Sequence, residues 1–175
     1  FYDELSVVAH YIESAEERGD KAYKGAGIDR KDCGVSVLTD TYGDIPYSEA
    51  IGAKDGAYFP AFDTQSSIYL GADGEVAVRD GDNGLLGLLD QANTLLAGGG
   101  VLAGDILLGE SSGGGFASRW QKFANSLRLR LLMRISGVVD VSAEMQAIVS
   151  DPVTYPIMEN SDESAVLDFL GSGPN

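Results

Sequence analysis

Cysteine and histidine are nearly absent from this 175-residue sequence, which contains one of each. A single Cys33 excludes a disulfide within the chain and a zinc site built from several cysteines. His10 lies in the first helical pattern, far along the chain from any candidate nucleophile. We therefore interpret Cys33 as a small half-buried residue and His10 as a surface or packing residue. Catalysis by a Ser-His-Asp or Cys-His arrangement is all but excluded.

Basic residues and long hydrophobic runs are also scarce. The chain has 12 Lys and Arg residues against 27 Asp and Glu residues, and its net charge is -15. An acidic surface repels a polyphosphate backbone, which argues against direct binding of nucleic acid. The same acidity suits a secreted or cell-surface protein. No run of about 18 or more apolar residues is present, so the sequence predicts no membrane-spanning helix.

The length and composition are those of one globular domain. The hydrophobic fraction of 44% and the charged fraction of 22% are ordinary, and the length allows a real core. No initiator methionine, signal peptide or lipobox cysteine is visible. Residues 171–175 form a turn sequence with no closing element after them. We expect residues 1–175 to be an interior fragment of a single domain, truncated at both ends.

Hydrophobic periodicity predicts a mainly helical chain with long loops. Four segments place apolar residues at helical spacing, namely residues 1–15, 85–96, 117–135 and 142–149. Gly19-Asp20 and the glycine run 98–100 supply the stop signals for the first two. The helix over residues 117–135 is apolar nearly all round, which predicts burial on several sides.

The remaining segments give weaker signals. Residues 63–65 are suited to cap a helical turn through Ile68 and Tyr69. Short strands are predicted at residues 75–79 and 165–169. Residues 21–34 are polar and contain glycine, so they stay unassigned, and a short apolar run follows at residues 35–38.

The most informative segment is Leu38-Thr-Asp-Thr-Tyr-Gly-Asp-Ile-Pro-Tyr-Ser-Glu-Ala50, which we predict to be irregular. Gly43 allows a turn with positive φ, and Pro46 fixes the direction in which the chain leaves it. Its acids have two readings. In the structural one, which we favour, Asp40 or Asp44 pairs with a buried arginine. In the catalytic one, Asp40 or Asp44 works with Glu49 as the acid and base of a glycosidase.

The structural reading rests on the arginines of the long hydrophobic helix, Arg128, Arg130 and Arg134. Arg134 falls inside the apolar arc of the helical wheel, where a guanidinium needs a partner to offset its desolvation. Arginine pairs well with a carboxylate in bidentate geometry. We therefore predict an ion pair between Arg134 and Asp40 or Asp44.

Other candidate sites are weaker. Residues 80–84 have the look of a cation loop but fail the EF-hand pattern, so we favour a solvated turn. The glycine runs 98–100 and 113–115 lack the lysine of a phosphate loop. Tyr58, Phe59 and Phe62 occupy a loop, where they serve either as a stacking platform for a ligand or as pins that hold the loop to the body. We predict no catalytic residue, metal ligand or cofactor.

Four pieces stand in a characteristic order. They are the segment 38–50, Pro60-Ala-Phe-Asp-Thr-Gln-Ser-Ser-Ile-Tyr69, Gly109 with Trp120-Gln-Lys-Phe-Ala-Asn-Ser-Leu-Arg-Leu-Arg130 and Met133-Arg-Ile-Ser136, and Pro156-Ile-Met-Glu-Asn160 through Gly173-Pro-Asn175. In this order they resemble the SusD/RagB family of outer-membrane nutrient-binding lipoproteins, in its starch-binding-associated branch. The resemblance implies a structural role, as part of the family scaffold, for Asp40, Tyr42, Gly43, Asp44, Pro46, Tyr47, Trp120, Asn125, Arg128, Arg130 and Arg134.

The resemblance implies an all-α fold with tetratricopeptide-like helix pairs, long loops and minor strands. It also implies a protein on the outer face of a Bacteroidota-type outer membrane, held by an N-terminal lipid anchor outside residues 1–175. There it would capture a glycan or peptide and act as a lid on a SusC-like TonB-dependent barrel. Two places depart from the pattern: residues 31–34 interrupt an expected apolar helix, and residues 71–84 replace a continuous one. We place no binding residue in either.

Two rival classes stay open. One is a SusD-like subunit that binds no nutrient and serves as a structural partner in an outer-membrane assembly. The other is a glycan-acting enzyme on a helical scaffold, which would use the carboxylates of the segment 38–50. The scaffold motifs do not identify the ligand.

Overall fold

Helices make up most of the chain, as the periodicity predicts. The computed structural model describes residues 1–52, 56, 58–71, 84–108 and 115–167. The helices in these ranges are α1 (Tyr2–Glu17), α2 (Lys21–Tyr42), α3 (Gln65–Leu70), α4 (Gly84–Leu96), α5 (Ala117–Ile135) and α6 (Ser142–Ser150). A short antiparallel ribbon pairs β1 (Val101–Leu102) with β2 (Gly115–Phe116), and a 3₁₀ helix covers Ser161–Glu163. The predicted all-α class with minor strands is confirmed.

Helices α1 and α2 form an antiparallel hairpin around a tight turn. Gly19 in the turn has a φ of 67°, a backbone conformation that glycine adopts at little cost. The carboxylate of Asp20 then caps α2 by accepting the backbone N–H of Tyr23 at 3.2 Å. Gly27 lets the two helices approach closely, because a Cβ there would lie 2.6 Å from Cγ1 of Ile12 in α1.

Helix α2 covers a segment that the sequence left unassigned, and it contradicts one expectation. It runs unbroken through residues 21–34, which the sequence left unassigned, and through residues 31–34, where an interruption was expected. Its buried side is made largely of small and polar residues, among them Gly25, Ala26, Gly27, Asp29, Asp32, Ser36 and Thr39. The helix packs against α1, α4 and α5. A helix buried on several sides without an apolar stripe leaves no periodic signal in the sequence.

The core lies between α2, α4 and α5. Leu85, Leu86 and Leu89 of α4 have no exposed surface, and α4 ends at Leu96 before the predicted glycine run. Helix α5 has the predicted bounds. Its apolar face is buried, whereas Met133 on the opposite side is 60% exposed. The predicted burial of α5 on several sides is therefore confirmed, since Leu132 on the opposite side is also buried, and Met133 in the last turn is an exception.

The weaker predictions had mixed outcomes. Helices α3 and α6 form where they were expected, and the hydroxyl of Thr64 caps α3 by accepting the N–H of Ser67 at 3.2 Å. Residues 165–167 are not a strand, although Val166 donates a backbone hydrogen bond to Leu107. The predicted strand at 75–79, the cation-loop residues 80–83 and Gly113-Gly114 lie outside the described residues.

Candidate functional site

The segment 38–50 begins as helix, which corrects the prediction that it is irregular throughout. Residues 38–42 are the last residues of α2, and Gly43 ends the helix with a φ of 76°. The N–H of Gly43 donates to the carbonyl of Thr39 at 2.7 Å, and the Thr39 hydroxyl donates to the carbonyl of Gly43 at 2.7 Å. Beyond this turn Ile45 pairs with Asp63 in an isolated antiparallel bridge. Two segments distant in sequence therefore lie side by side.

Asp63 is the central acceptor of this junction. Its carboxylate accepts the backbone N–H groups of Tyr47 at 2.9 Å and Ser48 at 2.8 Å, together with the Ser48 hydroxyl at 2.9 Å. Partial burial pushes the pKa of Asp63 upwards, but the hydrogen bonds from Ser48 and Tyr47 bring that pKa below its ordinary value. The ionised carboxylate therefore suits its place in the folded chain.

Two further carboxylates make equivalent bonds. Asp44 accepts the backbone N–H of Gln65 at 2.9 Å, at the start of α3, and Glu49 accepts the backbone N–H of Ala61 at 3.0 Å. Asp44, Glu49 and Asp63 together join residues 44–49 to residues 61–65. We call this junction the carboxylate clasp.

Asp40 has a different role, and it confirms one predicted ion pair. Its carboxylate pairs with Arg134 of α5 and accepts the hydroxyl of Tyr69 at 2.7 Å. The predicted alternative partner, Asp44, is not used. The environment differs from the prediction, because the Arg134 side chain is 51% exposed rather than enclosed in the apolar arc. A cleft of about 250 Å³ opens beside this pair, with Gln65, Tyr69 and Val138 among its walls.

The loop aromatics project from the clasp into solvent. Tyr58 is 73% exposed, Phe59 96% and Phe62 70%. Phe62 directly precedes the clasp residue Asp63. The interpretation that these rings hold the loop to the body is therefore wrong. Exposed aromatic rings grouped on one loop are typical of an interaction surface.

The remaining scaffold residues of the segment 38–50 are also placed. Tyr42 is 73% exposed at the end of α2. The carbonyl of Pro46 accepts the hydroxyl of Tyr2 in α1 at 2.9 Å. Lys31 lies 4.7 Å from the ring centroid of Tyr47 in a cation–π contact. Pro46 and Tyr47 thus attach the segment to the α1–α2 hairpin.

The conspicuous polar residues of α5 fasten the C-terminal segment 155–163. Asn125 donates from Nδ2 to the carbonyl of Pro156 at 3.0 Å and to the side-chain oxygen of Asn93 at 2.9 Å. The N–H of Met158 donates to the Ser126 hydroxyl at 2.8 Å. Buried Arg128 pairs with Asp90 of α4. Asn125 and Arg128 therefore have structural partners, as scaffold residues should.

Trp120 and Arg130 differ from each other in burial. Trp120 is 4% exposed, as expected for a core residue, and its indole N–H donates to Asp105 at 2.6 Å. Arg130 is exposed beside Cys33. Burial raises the pKa of the half-buried Cys33 thiol, an effect that nearby Arg130 opposes. His10 lies on the surface, 3.8 Å from Glu13, in agreement with its interpretation.

Sequence reasoning missed several polar residues that matter here. Asp63 appeared only as a capping candidate, because its partners Tyr47 and Ser48 are distant in sequence. Asp29 and Asp32 were not among the predicted site residues, and they are fully buried with no hydrogen-bond partner among the described residues. Two acids at i, i+3 on one side of a glycine-containing helix are the one signal that the sequence carries for them.

Metal clusters and membrane-spanning helices are both lacking from the ranges that the structure describes. In these ranges no group of three or more His, Cys, Asp and Glu residues is placed to hold a metal ion. The helices that the structure describes include none long and apolar enough to cross a membrane.

Comparisons with known proteins bear on this arrangement. The sequence model of a SusD-like family, described as starch-binding and associating with the outer membrane, matches residues 1–175. The chain belongs to this family. No curated protein matches the sequence.

Two solved structures share the SusD-like helical fold. A SusD homologue from Bacteroides fragilis NCTC 9343 is 23% identical with a TM-score of 0.68, over 93% of this chain and 31% of that one. A SusD homologue from Bacteroides vulgatus ATCC 8482 is 30% identical with a TM-score of 0.58, over 86% of this chain and 28% of that one. The chain thus spans about a third of the length of these SusD homologues.

Proposed function

We propose that this SusD-like chain belongs to a cell-surface binding protein that captures a glycan or peptide and acts as a lid on a SusC-like TonB-dependent transporter. The observation that carries the proposal is the family match over residues 1–175. The lipid anchor and the position on the outer face of the outer membrane are parts of the same proposal. The description of the family as starch-binding favours a glycan over a peptide.

The aromatic loop supplies a physical basis for capture. Tyr58, Phe59 and Phe62 offer apolar ring faces to a ligand, and rigid rings lose little conformational entropy when they bind. The carboxylate clasp holds Ala61 and Asp63 at the base of the loop. A loop that is already ordered at its base loses less entropy on binding than a free one, which favours affinity.

Binding rather than catalysis is the role that we infer for the acids. Asp44 and Glu49 each accept a backbone N–H within the clasp. A glycosidase needs two carboxyl groups that face a scissile bond from opposite sides, with one of them protonated. The backbone bonds of the clasp give Asp44 and Glu49 a structural role that needs no such catalytic pair. We infer that the protein is not an enzyme.

The loop is tested by binding measurements on the full chain. Tyr58→Ala, Phe59→Ala and Phe62→Ala are compared for affinity to malto-oligosaccharides and to a mixed tryptic peptide pool. Tyr42→Ala is the matched control, because Tyr42 is as exposed as Tyr58 and lies outside the loop. We expect each loop variant to lose about tenfold in affinity for one ligand class, which is roughly 1.4 kcal/mol, and the control to lose nothing. Equal losses in control and loop variants would contradict this assignment.

The lid role is tested by purification from native outer membranes. A TonB-dependent barrel is expected to co-purify with the full chain. Absence of a barrel from the preparation would contradict the lid. A barrel that co-purifies with a protein lacking any glycan or peptide affinity would instead identify a structural subunit.

A further inference from the structure

A second cleft lies between the α1–α2 hairpin and residues 102–107, with a volume of about 270 Å³. Tyr11, Tyr23, Arg30 and Asp105 contribute polar groups to it, and Trp120 forms part of its wall. Drug-sized ligands occupy pockets of roughly 300–1,000 Å³, so this cleft suits a ligand the size of one sugar or one amino acid. None of the loop aromatics Tyr58, Phe59 and Phe62 lines it.

Two tyrosines form one side of the cleft. The rings of Tyr11 and Tyr23 are 5.9 Å apart between centroids and tilted by 50°. The Tyr23 hydroxyl donates to the carbonyl of Ala103 at 3.2 Å, which fixes that ring. The Tyr11 hydroxyl has no hydrogen bond within the described chain. Burial, followed by neighbouring Tyr23, raises the pKa of Tyr11 to about 12, so its hydroxyl stays protonated and able to donate.

Arg30 supplies a guanidinium that forms no direct ion pair among the described residues. Its side chain is exposed at the cleft and makes no ion pair or hydrogen bond with any described residue. The guanidinium carries N–H donors in a planar fork that matches a carboxylate. The acids near Tyr11 are Asp20 and Asp105. Asp20 is occupied as the cap of α2.

Asp105 is also occupied by hydrogen bonds from the protein. One of its oxygens accepts the N–H groups of Leu107 at 2.9 Å and Leu108 at 3.1 Å, and the other accepts the indole N–H of Trp120 at 2.6 Å. It is the one carboxylate among the described residues that line the cleft. The side chains left free to bind a ligand, Tyr11 and Arg30, both carry hydrogen-bond donors, and the Tyr11 hydroxyl can also accept.

We propose that this cleft binds a small carboxylate, with the carboxylate on Arg30 and Tyr11 and the attached ring or chain against the tyrosines. A carboxylate accepts hydrogen bonds without donating any, which complements a pair of free donors. A neutral sugar hydroxyl can accept the same hydrogen bonds but carries no charge to pair with the guanidinium, so its bonds are weaker. Two sources share this chemistry, the uronic acid units of acidic glycans and the carboxylates of peptides. The site is independent of the aromatic loop.

The test measures binding of three probes to the full chain by titration in nuclear magnetic resonance. The probes are glucuronate, glucose and N-acetylglycine. We expect glucuronate or N-acetylglycine to bind about tenfold or more tightly than glucose, and Arg30→Gln to abolish that preference. Tyr11→Phe, which removes only the hydroxyl, is expected to weaken carboxylate binding about threefold to tenfold. Arg18→Gln removes a charge at the hairpin turn, outside the lining of the cleft, and serves as the control.

The relative affinities of the three probes distinguish the two sources of the carboxylate. Tighter binding of glucuronate than of N-acetylglycine identifies an acidic glycan as the source, and the reverse identifies a peptide. Equal binding of glucose and glucuronate, no binding of either carboxylate, or an Arg30→Gln variant that binds as the parent does would overturn the proposal. Phe59→Ala is expected to leave glucuronate binding unchanged, so failure here is distinct from failure of the aromatic loop.

Discussion

Ser48 donates both its backbone N–H and its hydroxyl to the carboxylate of Asp63, at 2.8 and 2.9 Å. The two residues lie 15 positions apart in the sequence, on either side of the aromatic loop. This contact makes the carboxylate clasp, rather than either segment alone, the unit that positions the exposed aromatics.

Replacement of Asp63 by asparagine should loosen the clasp. Both backbone N–H groups bond to one carboxylate oxygen, which asparagine can replace, but the negative charge is lost, so the hydrogen bonds from Tyr47 and Ser48 become weaker. We expect the free energy of unfolding to fall by about 1 kcal/mol, a value reduced for solvent screening. Denaturant titration measures it, with Asp3→Asn in α1 as the exposed control. A variant as stable as the control would contradict the clasp.

Acidification should weaken the parent chain through the same residue. The pKa of Asp63 is lower in the folded chain than in the unfolded one, because its hydrogen bonds outweigh its partial burial. Its contribution to stability is therefore present above the unfolded pKa and is lost as the pH falls through the folded pKa. The stability gap between parent and Asp63→Asn should close in this acid range, as unfolding curves at several pH values would show.

Asp29 and Asp32 predict the opposite pH dependence. Burial raises the pKa of both carboxyls, and Asp32 raises the pKa of Asp29 further, whereas Lys31 lowers that of Asp32. Below the unfolded pKa both states are protonated and no penalty exists. As the pH rises, the unfolded state ionises first, so stability falls until the folded pKa is passed.

Asp29→Asn and Asp32→Asn should therefore stabilise the chain at neutral pH, each by about 1–3 kcal/mol. The gain should shrink towards the unfolded pKa. Thermal unfolding at neutral and acid pH measures both effects, with Asp3→Asn as the control. A loss of stability at neutral pH would show that these carboxyls have partners that stabilise their ionised form.

Asn125→Ala should release the C-terminal segment 155–163. Its Nδ2 group bridges Asn93 and the carbonyl of Pro156 in a buried setting. Removal takes this donor from the Pro156 carbonyl, whereas Asn93 keeps its bond from Gln121. We expect a loss of about 2–3 kcal/mol and faster proteolysis within the segment. Gln146→Ala on exposed α6 is the control. Unchanged proteolysis would mean that other bonds suffice to hold the segment.

Two glycines of α2 give a matched pair. At Gly27 an added Cβ would lie 2.6 Å from Ile12, so Gly27→Ala should cost about 1–3 kcal/mol by overpacking the hairpin. At Gly34 the nearest atom is Cζ of Phe1 at 3.4 Å, which is ordinary contact. Gly34→Ala should instead stabilise the helix by up to about 1 kcal/mol. Equal effects in denaturant titration would contradict the close α1–α2 packing.

The predictable part of the fold is the part with one apolar face. Helices α1, α4 and α5 each show a stripe at helical spacing, and their bounds follow from it with stop signals such as Gly19. Helix α2 shows no such stripe, because its buried side contains glycine, alanine and aspartate. Its central position in the core had to come from the structure.

The site was predictable only in outline. The ion pair between Arg134 and Asp40 follows from the need of a guanidinium for a carboxylate, and the structure confirms it. Which aspartate accepts it, and how exposed Arg134 is, depend on where the ends of α2 and α5 meet. The exposure of Tyr58, Phe59 and Phe62 likewise depends on what the clasp leaves uncovered.

The sequence by itself determined the helical class and the resemblance to SusD-like proteins. These conclusions rest on composition, on local periodicity and on the order of motifs. All three can be read along the chain without knowing which distant residues meet in the fold. Tertiary structure alone decided that Asp63 joins two loops, that Asp29 and Asp32 are buried without hydrogen-bond partners among the described residues, and that Arg30 faces the cleft that Asp105 also lines. Those facts depend on distances between residues far apart in the chain, which packing sets.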